Sequence, residues 1–78
     1  MDNESVITIY GKPNCHACNA TRTHLDTRAV PYIYIDITKY TEYADYLLDL
    51  GHREVPVVEI SSVARWSGYR PDRLDELA

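Results

Sequence analysis

Two strand-like runs, Ser5 to Tyr10 (SVITIY) and Pro31 to Ile37 (PYIYIDI), bracket about twenty residues, and that arrangement narrows the possible folds more than anything else in the chain. The first run is β-branched and aromatic and stops at Gly11, Lys12, Pro13 and Asn14, a strand entering a loop. In the second, Tyr32, Tyr34 and Asp36 alternate with Ile33, Ile35 and Ile37, which is the period of a strand. The residues from Cys15 to Arg28 contain neither Gly nor Pro and set Cys18, Thr21 and Leu25 on one helical face, with Asn14 as the expected cap. A strand, helix, strand unit closes as a right-handed parallel crossover.

A second helix is expected from Tyr40 to Leu50, with Tyr43, Leu47 and Leu50 on its inner side, Asp45 and Asp49 opposite, and Gly51 as a C-terminal cap. Val55 to Ile60 reads as a third strand with Pro56 at its mouth, and Val63 to Trp66 as a fourth. Their short connection through Ser61 and Ser62 implies an antiparallel hairpin. Pro71 suits the first turn of a last helix, Asp72 complements its dipole, and the helix is expected to run through Leu74 and Leu77 to the end. The order β-α-β-α-β-β-α predicts an α/β protein of thioredoxin-like topology, a four-stranded mixed sheet flanked by three helices. Seventy-eight residues suit one domain, 1–78, with a single small core and a monomeric state. Seven Tyr and no Phe place ring hydroxyls at the edges of that core, where they can find partners.

A net charge of −4, with no basic run, argues against nucleic acid or an anionic membrane as partner. The start, MDNESVITIYG, has neither the basic segment nor the apolar stretch of a secretory signal, so the cytoplasm is the expected compartment. Thiols are kept reduced there, which favours catalytic or metal-binding cysteines over a structural staple.

Both cysteines lie in KPNCHACNAT, three positions apart at the start of the first helix. Three readings compete: a redox pair, half of a metal or iron-sulfur site, and an accidental adjacency. Disulfide exchange needs an accessible thiolate and a second thiol near enough to release the mixed disulfide. Cys15, at the positive end of a helix dipole, is expected to have a lowered pKa and to attack; Cys18, one turn in, is expected to be buried and to resolve. Zinc asks for four ligands, and His16 within the pair with His24 and His52 far apart gives no ligand spacing, so no metal or other cofactor is expected. Lys12 either stabilises the thiolate by charge or is a solvated loop residue. His16 either donates to the thiolate or is merely exposed. His24 and His52 have no acid nearby in sequence to orient them and are expected on the surface.

YGKPNCHACNAT, GHREVPVV (Gly51 to Val58) and WSGYRPDRL (Trp66 to Leu74) together resemble the glutaredoxin-like NrdH redoxins, small hydrogen donors for ribonucleotide reductase. The resemblance implies a dithiol-disulfide oxidoreductase with a cis bond before Pro56, facing the cysteines and keeping a metal away. Val55 is implied to offer its backbone to a partner's extended chain. The segment Trp66, Ser67, Gly68, Tyr69 and Arg70 is implied to lie beside the site, shaping it or meeting the partner, while a core Trp66 in a strand-to-helix turn is equally compatible. His16-Ala17 replaces the larger apolar residue and Gln of many relatives. Ser67-Gly68 stands where glutathione-using glutaredoxins carry Gly-Gly, and Arg70-Pro71 displaces Asp72. The implied reductant is therefore thioredoxin reductase rather than glutathione, in a bacterial cytosol or a phage-infected one. A glutathione-dependent glutaredoxin is the alternative.

Overall fold

The computed structural model describes residues 6–77, so Ser5 of the first expected strand and Ala78 of the last expected helix lie outside the described residues. Four strands, β1 (Ile7–Gly11), β2 (Ile33–Asp36), β3 (Val57–Ile60) and β4 (Ala64–Ser67), alternate with helices α1 (His16–Thr27), α2 (Thr41–Asp49) and α3 (Pro71–Leu74) in the expected order. A 3-10 turn, Asp75–Leu77, completes the described chain, so the last helix is shorter than expected. The strands lie in the order β2-β1-β3-β4, with β1 parallel to β2 and antiparallel to β3, and β3 antiparallel to β4. This is the four-stranded mixed sheet of the thioredoxin-like fold.

Alternation along β1 and β3 divides the core in two. Ile9 and Val58 face one side, where they meet Leu25 of α1, Leu74 of α3 and Trp66. Tyr10 and Val57 face the other, where Leu47 of α2 covers them. The inward face of α1 is Cys18, Thr21 and Leu25, as the spacing predicts.

Several boundaries move for identifiable reasons. β3 starts at Val57 rather than Val55, because Pro56 has no N–H to give to a ladder. β4 is displaced by one residue, since Val63 closes the tight turn from Ile60 and is 80% exposed. Leu50 is exposed rather than inward: it caps α2, and Gly51, at φ 93°, and His52 return their N–H groups to Leu48 and Leu47. α1 closes in the same way around a non-glycine residue, Ala29 at φ 57°.

Gly11 ends β1 with the Tyr34 ring lying over its Cα, and a Cβ there would collide with the phenol, coming within 2.8 Å of Cζ. Tyr34 is itself covered by the Arg22 guanidinium, 4.0 Å from the ring centroid. Gly11→Ala is therefore expected to destabilise the fold by about 1–3 kcal/mol, as overpacking does. A thermal melt reads this as a loss of roughly 4–8 °C per kcal/mol in a domain of this size, and an unchanged midpoint would show that Tyr34 swings aside freely.

Candidate active site

Cys15 caps α1. It adopts extended geometry (φ −118°, ψ 107°), and its Sγ accepts the N–H of Cys18 at 3.2 Å. The expected cap, Asn14, is instead a left-handed turn residue at φ 59° that aims the chain into the helix. No acidic side chain occupies the first turn, so nothing on the helix opposes a negative charge at this sulfur.

The two sulfurs are joined as a disulfide, with Cα atoms 5.2 Å apart. Their environments differ. Cys15 retains 9% of its surface, whereas Cys18 is wholly buried beneath the first turn.

The Val55-Pro56 bond is cis, and the Val55 carbonyl oxygen lies 3.9 Å from Cys15 Sγ, although the two residues are 40 apart in sequence. Pro56 is fully buried, and its own carbonyl accepts the N–H of Gly68 at 2.8 Å. Gly68 has φ 86°, a left-handed conformation that a residue without Cβ adopts at little cost. Ser67 pairs with Val57 across the hairpin. Val55, Pro56, Ser67 and Gly68 thus form one continuous backbone support behind the cysteines.

The other expected site residues divide. Lys12 is exposed and shares a groove of about 200 Å³ with Val55, Leu47, His52 and Arg53. His16 is exposed and opens onto a second groove, along α1, which Tyr69 also borders. Trp66 is a core residue, 6% exposed, with the Arg73 guanidinium 4.6 Å from its ring centroid. Whatever it contributes to the site runs through the backbone it anchors. Arg70 faces solvent and is occupied by a two-point pair with Asp72 (3.2 and 3.0 Å).

Two clusters escaped the sequence reading. His24, expected on the surface without an orienting acid, has a side chain only 12% exposed, with Nε2 2.8 Å from Asp75 Oδ1 and Nδ1 3.1 Å from the Tyr69 hydroxyl. These partners lie 51 and 45 residues away in sequence, which no local pattern signals. His52, likewise expected on the surface, is half-buried in the smaller groove. On the α2 side, Glu59 accepts from Tyr10, Tyr46 and Arg65. A carboxylate sharing the strand parity of buried Val57 was the available clue.

A cysteine capping a helix N-terminus, a wholly buried partner one turn on and joined to it as a disulfide, and a cis-proline loop whose Val55 carbonyl approaches the first sulfur define a thiol-disulfide oxidoreductase of the thioredoxin fold. The Glutaredoxin family profile matches residues 7–63. Over 71 residues the chain is 37% identical to the glutaredoxin-like protein NrdH of Escherichia coli, covering 91% of this chain and 86% of that one. It is 38% identical over 72 residues to the Gene 56 protein of Mycobacterium phage D29, covering 91% and 80% respectively. The solved structure of the E. coli NrdH-redoxin superposes with a TM-score of 0.87 at 35% identity, over 92% of this chain and 93% of that one. The chain belongs to the glutaredoxin family. Among the described residues, no helix is long and apolar enough to cross a membrane.

Proposed function

We propose that the protein is a dithiol electron carrier in which Cys15 attacks and Cys18 resolves, with ribonucleotide reductase as its target and thioredoxin reductase as its reductant. The supporting observation is the asymmetry of the pair: 9% exposure and a helix N-cap position for Cys15, none for Cys18. The Cys15 thiolate attacks one sulfur of the target disulfide and expels the other as thiolate, forming a mixed disulfide. A thiolate accepts the Cys18 N–H more strongly than a neutral sulfur does, which lowers the cost of ionisation. The Cys18 thiolate then attacks Cys15 Sγ, releasing the second target thiolate and leaving Cys15 joined to Cys18. Two electrons have passed to the target, and a reductant returns them.

The NrdH relatives and the WSGYRPD segment support the choice of target. The solved relative is described as having a thioredoxin-like activity profile, which supports the choice of reductant. A local contact adds to it: Asp72, which Arg70-Pro71 displaces in sequence from the place of the γ-glutamyl-binding Asp of glutathione-using glutaredoxins, is paired with Arg70.

Consumption of NADPH with the oxidised protein and thioredoxin reductase is expected to exceed that with glutathione and its reductase by at least tenfold, the ratio that about 1.4 kcal/mol of transition-state preference produces. Turnover in the glutathione system alone would reject the proposed reductant.

A further inference from the structure

The Asp75, His24, Tyr69 chain takes no part in thiol exchange, yet it joins three distant segments at one imidazole. A carboxylate only accepts, so the 2.8 Å contact puts a hydrogen on Nε2, and Nδ1, 3.1 Å from the Tyr69 oxygen, is left to hydrogen-bond the phenol. Arg28 also approaches Nε2, at 3.0 Å. With that nitrogen already donating, the productive partner of Arg28 is Asp75 Oδ1, 3.0 Å from Nη2. The Tyr69 and His24 rings meet edge to face at 68°.

The segment carrying Tyr69 is held on its other side by the Gly68 bond to Pro56. Tyr69, 39% exposed, therefore stands fixed as one wall of the groove along α1. That groove has a volume of about 530 Å³, begins at His16 beside Cys15, and passes Asn19 and Thr23 on its way to Arg28.

We infer that the groove takes the extended polypeptide flanking a target's disulfide, and that His24 is the positioning residue that fixes its Tyr69 wall. The inference rests on the dithiol-carrier reading. The groove's end at His16, the residue next to Cys15, identifies the occupant, because a chain joined through its cysteine to Cys15 must leave the sulfur across a neighbouring surface. The lining of Asn19, Thr23 and phenol suits backbone N–H and C=O groups that an extended chain leaves unpaired.

The test compares single-turnover reduction of insulin, whose disulfides sit in polypeptide, with reduction of the small disulfide dithiobis(nitrobenzoate). For Tyr69→Phe and for His24→Leu, the half-saturating insulin concentration is expected to rise roughly three- to tenfold, the worth of one or two hydrogen bonds. The limiting rate and the small-disulfide rate stay at wild-type values. The double variant adds nothing to either single one, and His24→Gln, with acceptor and donor on one amide, recovers most of the loss. Tyr69→Phe keeps the ring of an exposed residue, so its result does not turn on folding. Unchanged half-saturation in both single variants, or an equal loss with the small disulfide, overturns the inference. Wild-type protein that fails to reduce the small disulfide removes the dithiol-carrier reading instead.

Discussion

Cys18→Ser, reduced and offered its target, is expected to stop at the mixed disulfide through Cys15, with steady-state turnover falling to background. The reason is geometric: Cys18 is the only other cysteine in the sequence and lies one turn from the sulfur it is proposed to attack. Without it, the adduct can be broken only by an external thiol. Non-reducing electrophoresis and mass spectrometry of the adduct read both the linkage and the captured protein. An adduct from Cys18→Ser together with none from Cys15→Ser fixes the two roles. The reverse pattern would exchange them, and capture of a protein other than ribonucleotide reductase would redirect the target assignment without disturbing the chemistry.

Glu59→Gln is expected to cost about 2–3 kcal/mol at neutral pH, somewhat less than the ~3–5 kcal/mol for breaking a fully buried ion pair, because Arg65 remains partly solvated. Against a total stability on the order of 5–15 kcal/mol, that is a large fraction. Burial alone would raise the Glu59 pKa, but hydrogen bonds from Tyr46, Tyr10 and Arg65 outweigh it and hold the carboxyl below its ordinary value. A depressed folded-state pKa contributes stability above the unfolded value of about 4.3, and that contribution is lost as pH falls through the folded value. Tyr10 behaves oppositely. Burial first, then the bond to Glu59, pushes its phenol well above the ordinary value. Its contribution is complete below about pH 10 and is lost as pH rises beyond it. Urea melts from acid to alkaline pH should therefore show wild-type stability falling at both ends, with both slopes shallower in Glu59→Gln. Parallel wild-type and variant curves would show that the cluster is energetically idle.

What could be read beforehand follows from how far each signal reaches along the chain. The inward stripe Cys18, Thr21 and Leu25 is visible because helical neighbours recur every three or four residues. The end of α1 is visible too, since the stretch free of Gly and Pro runs to Arg28, its C-cap, but the residue that closes it is not, because Ala29 takes the left-handed position that glycine usually marks. Gly51 marks the end of α2 and was legible for that reason. At the site, the cysteine spacing carries its own chemistry, but the approach of Val55 to Cys15 needs the sheet to bring together residues 40 apart. Only the resemblance of GHREVPVV to a known family reached that far. His24 had no such help: histidine, tyrosine and aspartate are each ordinary where they stand, and only the fold makes them neighbours.

The bond from the Cys18 amide to the Cys15 sulfur has a consequence beyond reactivity. The residue proposed to attack is also the N-cap of its helix, so transferring electrons would change the quality of a cap. Folding and reduction then form a closed thermodynamic cycle. Any extra free energy by which the native fold favours the helix capped by the reduced Cys15 sulfur over the disulfide-capped one must reappear as a more oxidising couple than the same two cysteines would have in the unfolded chain. The driving force of this carrier is in that sense partly written into the first turn of α1, and a substitution that never touches sulfur but weakens that turn should retune it.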